Sequence, residues 1–175
     1  SVITIVLFIM VKTKKVRRLK KNKITRKKKM SGMSGKDGRK KGFKAKKVGG
    51  KYFFKDYPDF RPNLTPREIF KLGSFGGTYW RPIYSTVTKK HYKNIHKKYP
   101  KSWWKNIPED HLIRDWDDYD KSINKYNVKV GTTLEFWQEK KWITKNHPYG
   151  WVQWYCDFYN GKRSEDDEWQ ISRWL

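Results

Sequence analysis

Two acidic clusters contain the residues of this chain that could support catalysis or metal binding. Residues 115–120 have the sequence DWDDYD and residues 165–168 have the sequence EDDE. Carboxylates this close together can act as metal ligands or as general acids and bases. However, DWDDYD lacks the Gly and terminal Glu of a calcium loop, and EDDE has no evident partner base. We therefore interpret DWDDYD as a solvated helix start or an internal partner for lysines, and EDDE as the first turn of a helix.

Histidine and cysteine indicate little further chemistry. His91 and His96 are five residues apart, not the four that place two metal ligands on one helix face. Cys156 is the single cysteine of the chain, which excludes an intramolecular disulfide and a cysteine-based zinc site. We predict a buried, inert thiol, and we expect no metal, no cofactor and no catalytic residue. A reducing compartment follows from this use of cysteine.

The strongest functional signal is a basic tail. Residues 12–51 contain twenty Lys or Arg against one acid, Asp37. Such a segment cannot offset the entropy of ordering by burying apolar surface, so we predict that residues 1–51 are disordered until a polyanion neutralises them. The tail residues expected to contact nucleic-acid phosphates are Lys14, Lys15, Arg17, Arg18, Lys20, Lys21, Arg26, Lys27, Lys28 and Lys29.

Two further basic stretches occur in the remainder of the chain. Residues 85–101 carry six Lys and no acid, and we interpret the part after Thr88 as an amphipathic helix, either a nucleic-acid face or an ordinary solvated one. The NGKR sequence at 160–163 predicts a turn between helices that contacts the nucleic-acid backbone. The residues assigned to this fixed basic face are Lys89, Lys93, Lys97, Lys98, Lys162 and Arg163.

The N-terminus has an apolar run over residues 2–11. It is too short to span a bilayer and lacks a preceding basic region, so we expect neither a signal peptide nor a membrane partner. Because Met10 is followed by VKTKK, we expect residues 1–9 to be translation from upstream. A short anchor beside a lipid-binding basic segment is the alternative.

Residues 52–175 are expected to form one domain with an aromatic core, because all ten Trp and all eleven Tyr lie there. We predict a mainly α, small helical domain with a short strand or hairpin after Gly77. No secondary structure is expected over residues 30–50. Thr65, Pro66 and Glu68 form a capping box that starts a helix closed by Gly73. The Gly76-Gly77 pair is either a turn into the strand or a phosphate cradle.

The C-terminal third is predicted to contain three helices. A second capping box at residues 132–135 starts the first of them. Trp151, Trp154, Tyr155 and Phe158 have the spacing of one buried stripe on the second. Ser164 is expected to cap the last.

Three stretches of the chain together resemble a known group of proteins. They are PNLTPREIFKLGSFGGTYWRPIYS, LEFWQEKKWI and PYGWVQWYCDFYNGKRSEDDEWQISRW, within residues 57–174. This part resembles small, uncharacterised Trp-rich proteins of large DNA viruses of algae and protists and of some fungi. The resemblance implies a virus-encoded protein of the virion or of the host nucleus or cytoplasm, not a secreted one. It supplies no functional residues, and the basic tail lies outside it.

We expect a non-enzymatic nucleic-acid-binding protein, with DNA as the favoured partner. A structural virion or capsid-associated protein, which would contact a capsid or other viral protein, is the first alternative. A metal-dependent enzyme acting on nucleic acid, with DWDDYD or EDDE as ligands, is the second. The sequence leaves the oligomeric state open.

Overall fold

The structure of the protein is a computed structural model, and it describes residues 40–72, 74–123 and 134–175. Its helices and strands are short. The α-helices are α1 (Pro66–Lys71), α2 (Lys101–Trp104), α3 (Leu134–Glu139), α4 (Trp151–Tyr159) and α5 (Asp167–Trp174). The strands are β1 (Lys40–Lys41), β2 (Lys46–Val48), β3 (Lys51–Phe53), β4 (Ile83–Ser85), β5 (Lys90–Tyr92) and β6 (Lys162–Arg163).

The prediction of a mainly α-helical domain is wrong, because the fold mixes α and β structure. Its strands form three two-stranded antiparallel sheets, β1–β6, β2–β3 and β4–β5. Among the described residues only α4 and α5 exceed six residues in length. Aromatic residues, 17% of the chain, favour strands, and the seven prolines all fall between residues 58 and 148, where they limit the length of helices.

The expectation of no secondary structure over residues 30–50 is wrong for its described part. Strand β2 pairs with β3 through a two-residue turn, Gly49-Gly50, whose φ angles are 56° and 77°. Two consecutive glycines with positive φ are a strong hairpin signal, which the lysine-rich composition concealed. Strand β1 pairs with β6 near the other end of the chain. Residues 1–39 of the tail predicted over residues 1–51, which include its ten assigned phosphate contacts from Lys14 to Lys29, lie outside the described residues.

Helix α1 confirms the predicted capping box. The Thr65 hydroxyl accepts a hydrogen bond from the Glu68 amide at 3.1 Å, and the Thr65 amide donates to the Glu68 carboxylate at 2.7 Å. Pro66 occupies the first helical position, where no amide donor is needed. The helix ends at Lys71 with Leu72 as its C-cap, and the predicted cap Gly73 lies outside the described residues.

Helix α4 forms the centre of the core. Trp154, Tyr155 and Phe158 are at most 1% exposed, which confirms three of the four residues of the predicted buried stripe, whereas Trp151 is only half-buried. Val152, Gln153 and Asp157 are also buried, because other segments pack around the helix, and Cys156 is fully buried as expected. Phe60 contacts Phe158 edge to face, with ring centroids 5.5 Å apart. Such edge-to-face contacts are the favoured geometry between aromatic rings.

The strand predicted after Gly77 is confirmed as the β4–β5 hairpin, but the amphipathic helix predicted after Thr88 is wrong. Residues 90–92 form β5, and only Ile95–Lys98 make a short 3-10 helix. Lys89 and Asn94 adopt left-handed φ angles of 58° and 55°, which interrupt a continuous helix.

The Gly76-Gly77 pair is a packed turn. Both residues are buried and have positive φ angles. A Cβ atom on Gly77 would collide with the Asp110 carbonyl, and one on Gly76 would collide with the Tyr119 ring. Because protein atoms occupy this space, the turn interpretation replaces the phosphate cradle.

The C-terminal third contains the three predicted helices, with one correction. Helix α5 begins at Asp167, two residues later than a Ser164 cap implies, and its N-cap is Asp166. The Asp167 carboxylate, in the first turn of the helix, accepts a hydrogen bond from the Ser164 amide at 2.9 Å. The second predicted capping box includes residues 132 and 133, which lie outside the described residues. None of the helices within the described ranges is both long and apolar enough to cross a membrane.

The Thr65 cap can be tested by substitution. We expect Thr65→Ala to lower the free energy of unfolding by about 1 kcal/mol, because the Glu68 amide loses its acceptor. Urea denaturation followed by circular dichroism measures this change. Asn63→Ala, at an exposed position outside the helix, is the control and should stay within about 0.5 kcal/mol. Equal stabilities of the two variants would contradict the capping role.

Candidate nucleic-acid interface

The predicted basic residues within the described part of the chain fall into two groups. Lys89, Lys93, Lys97, Lys98 and Lys162 are exposed and accessible to a polyanion. Arg163, the sixth residue assigned to the fixed basic face, is only 7% exposed. The two cations of the NGKR turn therefore have different roles.

Arg163 forms a clamp inside the fold. Its guanidinium donates to both carboxylate oxygens of Asp56, from Nε at 2.6 Å and from Nη2 at 3.0 Å. It also donates to the carbonyls of Phe43 at 2.7 Å and Phe158 at 2.8 Å. The Phe158 ring lies 3.7 Å from the guanidinium carbon, in cation–π contact. Arg163 is thus fully engaged, and its predicted contact with a phosphate is wrong.

The clamp attaches a basic segment, residues 40–56, to the C-terminal helices. Asp56 and Phe43 belong to that segment, whereas Phe158 belongs to α4. Gly42 lies directly against the Arg163 side chain, where a Cβ atom would collide with it. The Gly42 amide also donates to the Gly161 carbonyl at 2.7 Å. Without a side chain at Gly42, the segment can approach closely enough for these bonds to form.

The clamped segment presents a set of exposed lysines, which we call the strand surface. Lys41 and Lys162 are paired across the β1–β6 sheet. Like charges directly opposite on paired strands repel each other, so an anion bound between them would relieve this repulsion. No Asp or Glu occurs over residues 38–55. The strand surface consists of Lys41, Lys44, Lys46, Lys47 and Lys162.

The sequence analysis predicted that Lys41, Lys44, Lys46 and Lys47 lie in a disordered tail. The signal that could have placed them in the fold is the Gly49-Gly50 turn, which predicts a hairpin between flanking strands. Strands β1 and β6 lie near opposite ends of the folded part of the chain, so no local sequence pattern indicates that they pair. Lysines near β1 and β6 are therefore brought together by the fold alone.

The second basic group, which we call the hairpin surface, follows β4. Its exposed lysines lie on or just after the β4–β5 hairpin, and the sequence has no acid over residues 69–108. Lys97 lies 3.9 Å from Glu109, a long and exposed ion pair that contributes little. The hairpin surface consists of Lys89, Lys90, Lys93, Lys97 and Lys98.

Several carboxylates of the acidic clusters are engaged in contacts within the protein. Arg114 pairs with Asp118 at 2.8 Å and with Asp110 at 3.2 Å, so an arginine is the partner of DWDDYD in this part of the structure. In EDDE, Asp166 and Asp167 are buried, whereas the outer two carboxylates are exposed. Over the described residues no three His, Cys, Asp or Glu side chains come together in a way that could hold a metal ion.

A buried histidine lies between two carboxylates beneath the C-terminal helices. His147 is 2% exposed, with Nδ1 2.9 Å from Asp166 and Nε2 3.3 Å from Asp157. Thr144 donates to Asp166 at 2.6 Å, and the Tyr99 hydroxyl donates to Asp157 at 3.0 Å. The network connects α4 to the turn before α5. Sequence reasoning did not identify it, because His147, Asp157 and Asp166 have no characteristic spacing.

The charges of this network stabilise each other. Burial alone lowers the pKa of His147, but the hydrogen bonds to Asp157 and Asp166 outweigh it and raise that pKa above 6.5. Burial raises the pKa of Asp166, yet the bonds from His147 and Thr144 lower it overall. Burial raises the pKa of Asp167 despite bonds from the Ser164 amide and the Trp154 indole. An imidazolium donating to two carboxylates is a structural ion network, and its burial keeps it from contact with a large substrate.

The clamp predicts a measurable stability loss. We expect Asp56→Asn to lower the free energy of unfolding by about 3 kcal/mol, because the buried guanidinium loses its counter-charge. Hydrogen exchange should also accelerate over residues 40–55, which the clamp attaches. Asp59→Asn, at an exposed position three residues on, is the matched control. Unchanged exchange over residues 40–55 in Asp56→Asn would contradict the clamp.

The His147 network predicts a pH-dependent stability. Above pH 6.5 the unfolded chain has lost the histidine proton while the folded chain retains it, so the free energy of unfolding falls as pH rises through the folded pKa. We expect His147→Gln to be less stable at pH 6 and to lose this decline. Denaturation midpoints measured from pH 6 to pH 9 check this, with His91→Gln as the exposed control. A decline that persists in His147→Gln would contradict the assignment.

Comparison with known proteins gives no family for this chain. No protein-family model matches it, and no curated protein or solved structure is similar enough to count as a match. The function is therefore proposed below from the charges and contacts of the chain itself.

Proposed function

We propose that this protein is a non-enzymatic nucleic-acid-binding protein whose strand surface contacts phosphates. The observation that carries the proposal is the pairing of Lys41, which lies in the stretch without acids over residues 38–55, with Lys162 on the adjacent strand. Phosphates are the anions that a row of fixed lysines fits best, because they are regularly spaced along a polymer.

The clamp supports this proposal through preorganisation. Lysines on a flexible segment lose conformational freedom when they bind, which weakens the interaction. The Arg163–Asp56 pair already fixes the backbone that carries Lys41 and Lys44. The basic tail over residues 1–39 adds further phosphate contacts in this proposal, and DNA is its favoured partner. A place in a virion or in the host nucleus or cytoplasm, together with a viral origin, depends on the resemblance of residues 57–174.

Catalysis by the acidic clusters is not part of the proposal. Asp166 accepts hydrogen bonds from His147 and Thr144, and Asp167 accepts one from Trp154 at 2.9 Å. These carboxylates accept hydrogen bonds within the core, where a substrate phosphate does not reach them.

A structural role in a virion has one supporting observation, the exposed apolar side chains of Phe43 and Val48 beside the strand surface.

The proposal predicts a strong dependence of affinity on salt. With about six to ten phosphates neutralised, the logarithm of the binding constant for duplex DNA should fall with the logarithm of salt at a slope of about −5 to −9. We expect the Lys41→Ala/Lys162→Ala double variant of the full chain to reduce that slope by about two. Fluorescence anisotropy with a labelled duplex measures both slopes.

Lys145→Ala is the matched control. Lys145 is exposed but lies 3.7 Å from Glu165, so its charge is already partly compensated. We expect this variant to retain the wild-type slope. Binding that does not depend on salt would contradict the proposed function. An unchanged slope in the double variant would contradict the strand surface as the contact.

A further inference from the structure

The β4–β5 hairpin presents two aromatic rings to solvent. Tyr84 and His91 face each other across the hairpin, with ring centroids 4.8 Å apart. Ile83 and Ser85, on either side of Tyr84, are buried. Because side chains alternate between the two faces of a strand, Tyr84 and His91 lie on the outward face while Ile83 points to the core.

The exposure of Tyr84 is unusual in this chain. The side chain is 46% exposed, and it is the one exposed tyrosine among those that the structure describes. Several other tyrosine hydroxyls donate to partners in the core, as Tyr79 does to the Tyr149 carbonyl at 2.7 Å and Tyr99 to Asp157 at 3.0 Å. Packing of the core therefore does not explain the position of the Tyr84 ring.

The hairpin is held rigid beneath these rings. The Lys89 amide donates to the Ser85 carbonyl at 2.8 Å, and the Tyr92 hydroxyl donates to Thr88 at 2.9 Å. These bonds fix the turn that joins the strands. A ring on a rigid hairpin loses little entropy when another ring stacks on it.

The charged residues of the hairpin and of the chain around it are all cations. Lys89, Lys90 and Lys93 are exposed on or just after the hairpin that carries Tyr84 and His91, and no acid occurs over residues 69–108. Aromatic rings interleaved with cations form the surface that single-stranded nucleic acid uses, because bases stack on the rings while phosphates contact the lysines. A duplex keeps its bases stacked inside and cannot offer them to an exposed tyrosine.

We propose that Tyr84, supported by His91, is a stacking site for an unpaired base of single-stranded nucleic acid, with the hairpin surface contacting the adjoining phosphates. This inference deepens the proposed function and rests on it. The alternative role for the two rings is stabilisation of the hairpin through their cross-strand contact. That role would change unfolding without any selectivity for bases.

The test compares ligands that have bases with a ligand that has none. Wild type, Tyr84→Leu and Tyr84→Phe, each in the full chain, are titrated with oligothymidylate, with an abasic oligonucleotide of equal length and with duplex DNA. Leu keeps apolar bulk without an aromatic face, whereas Phe keeps the face. Val87→Ala, at an exposed position on the same hairpin turn, is the matched control.

We expect Tyr84→Leu to weaken oligothymidylate binding about tenfold, while Tyr84→Phe and Val87→Ala stay close to wild type. Binding of the abasic strand and of the duplex should not change in any variant. Equal losses for the abasic strand, or no loss for oligothymidylate, would overturn the stacking site and leave the proposed function intact. If wild type binds none of the three ligands, the proposed function fails, and the stacking site fails with it.

Discussion

The arrangement of this fold depends on the buried ion pair between Arg163 and Asp56. The Asp56 side chain is 1% exposed, and both of its oxygens are held by one guanidinium. A bidentate pair of this kind fixes orientation as well as distance. It joins the lysine-rich segment to the aromatic helix α4. The pair and the β1–β6 sheet act together with the buried Phe54 ring of the same segment, whose centroid lies 4.7 Å from that of Phe158.

Pairing of buried charges also determines how charge is distributed between the core and the surface. Asp56, Asp157, Asp166 and Asp167 all lie inside, where Arg163, His147 or an indole hydrogen bond compensates them. These carboxylates are screened by their partners and contribute little negative field outside. The lysines of both basic surfaces are exposed instead. Burying acids within the core while lysines remain in solvent makes the outer surface more positive than the local sequence balance indicates.

Local signals in the sequence predicted single elements, but the mainly α fold class was wrong and the contacts between distant residues were not predicted. The capping box at Thr65 and the stripe on α4 were predictable because neighbouring residues supply their partners. The role of Arg163 was missed, since its partner Asp56 lies 107 residues away. The hairpin β2–β3 was missed for a different reason. Its glycine turn was visible, but the surrounding charge favoured a disordered segment, and the tertiary clamp that orders it leaves no local pattern.

Lysine footprinting tests the central claim most directly, that the clamp holds a fixed phosphate-binding surface. The full chain would be acetylated with and without duplex DNA, and the modified lysines quantified by mass spectrometry. The account predicts protection of Lys41, Lys44, Lys46, Lys47 and Lys162, with Lys140 and Lys145 remaining reactive. Protection confined to lysines before residue 40, or equal protection of Lys140 and Lys145, would contradict it.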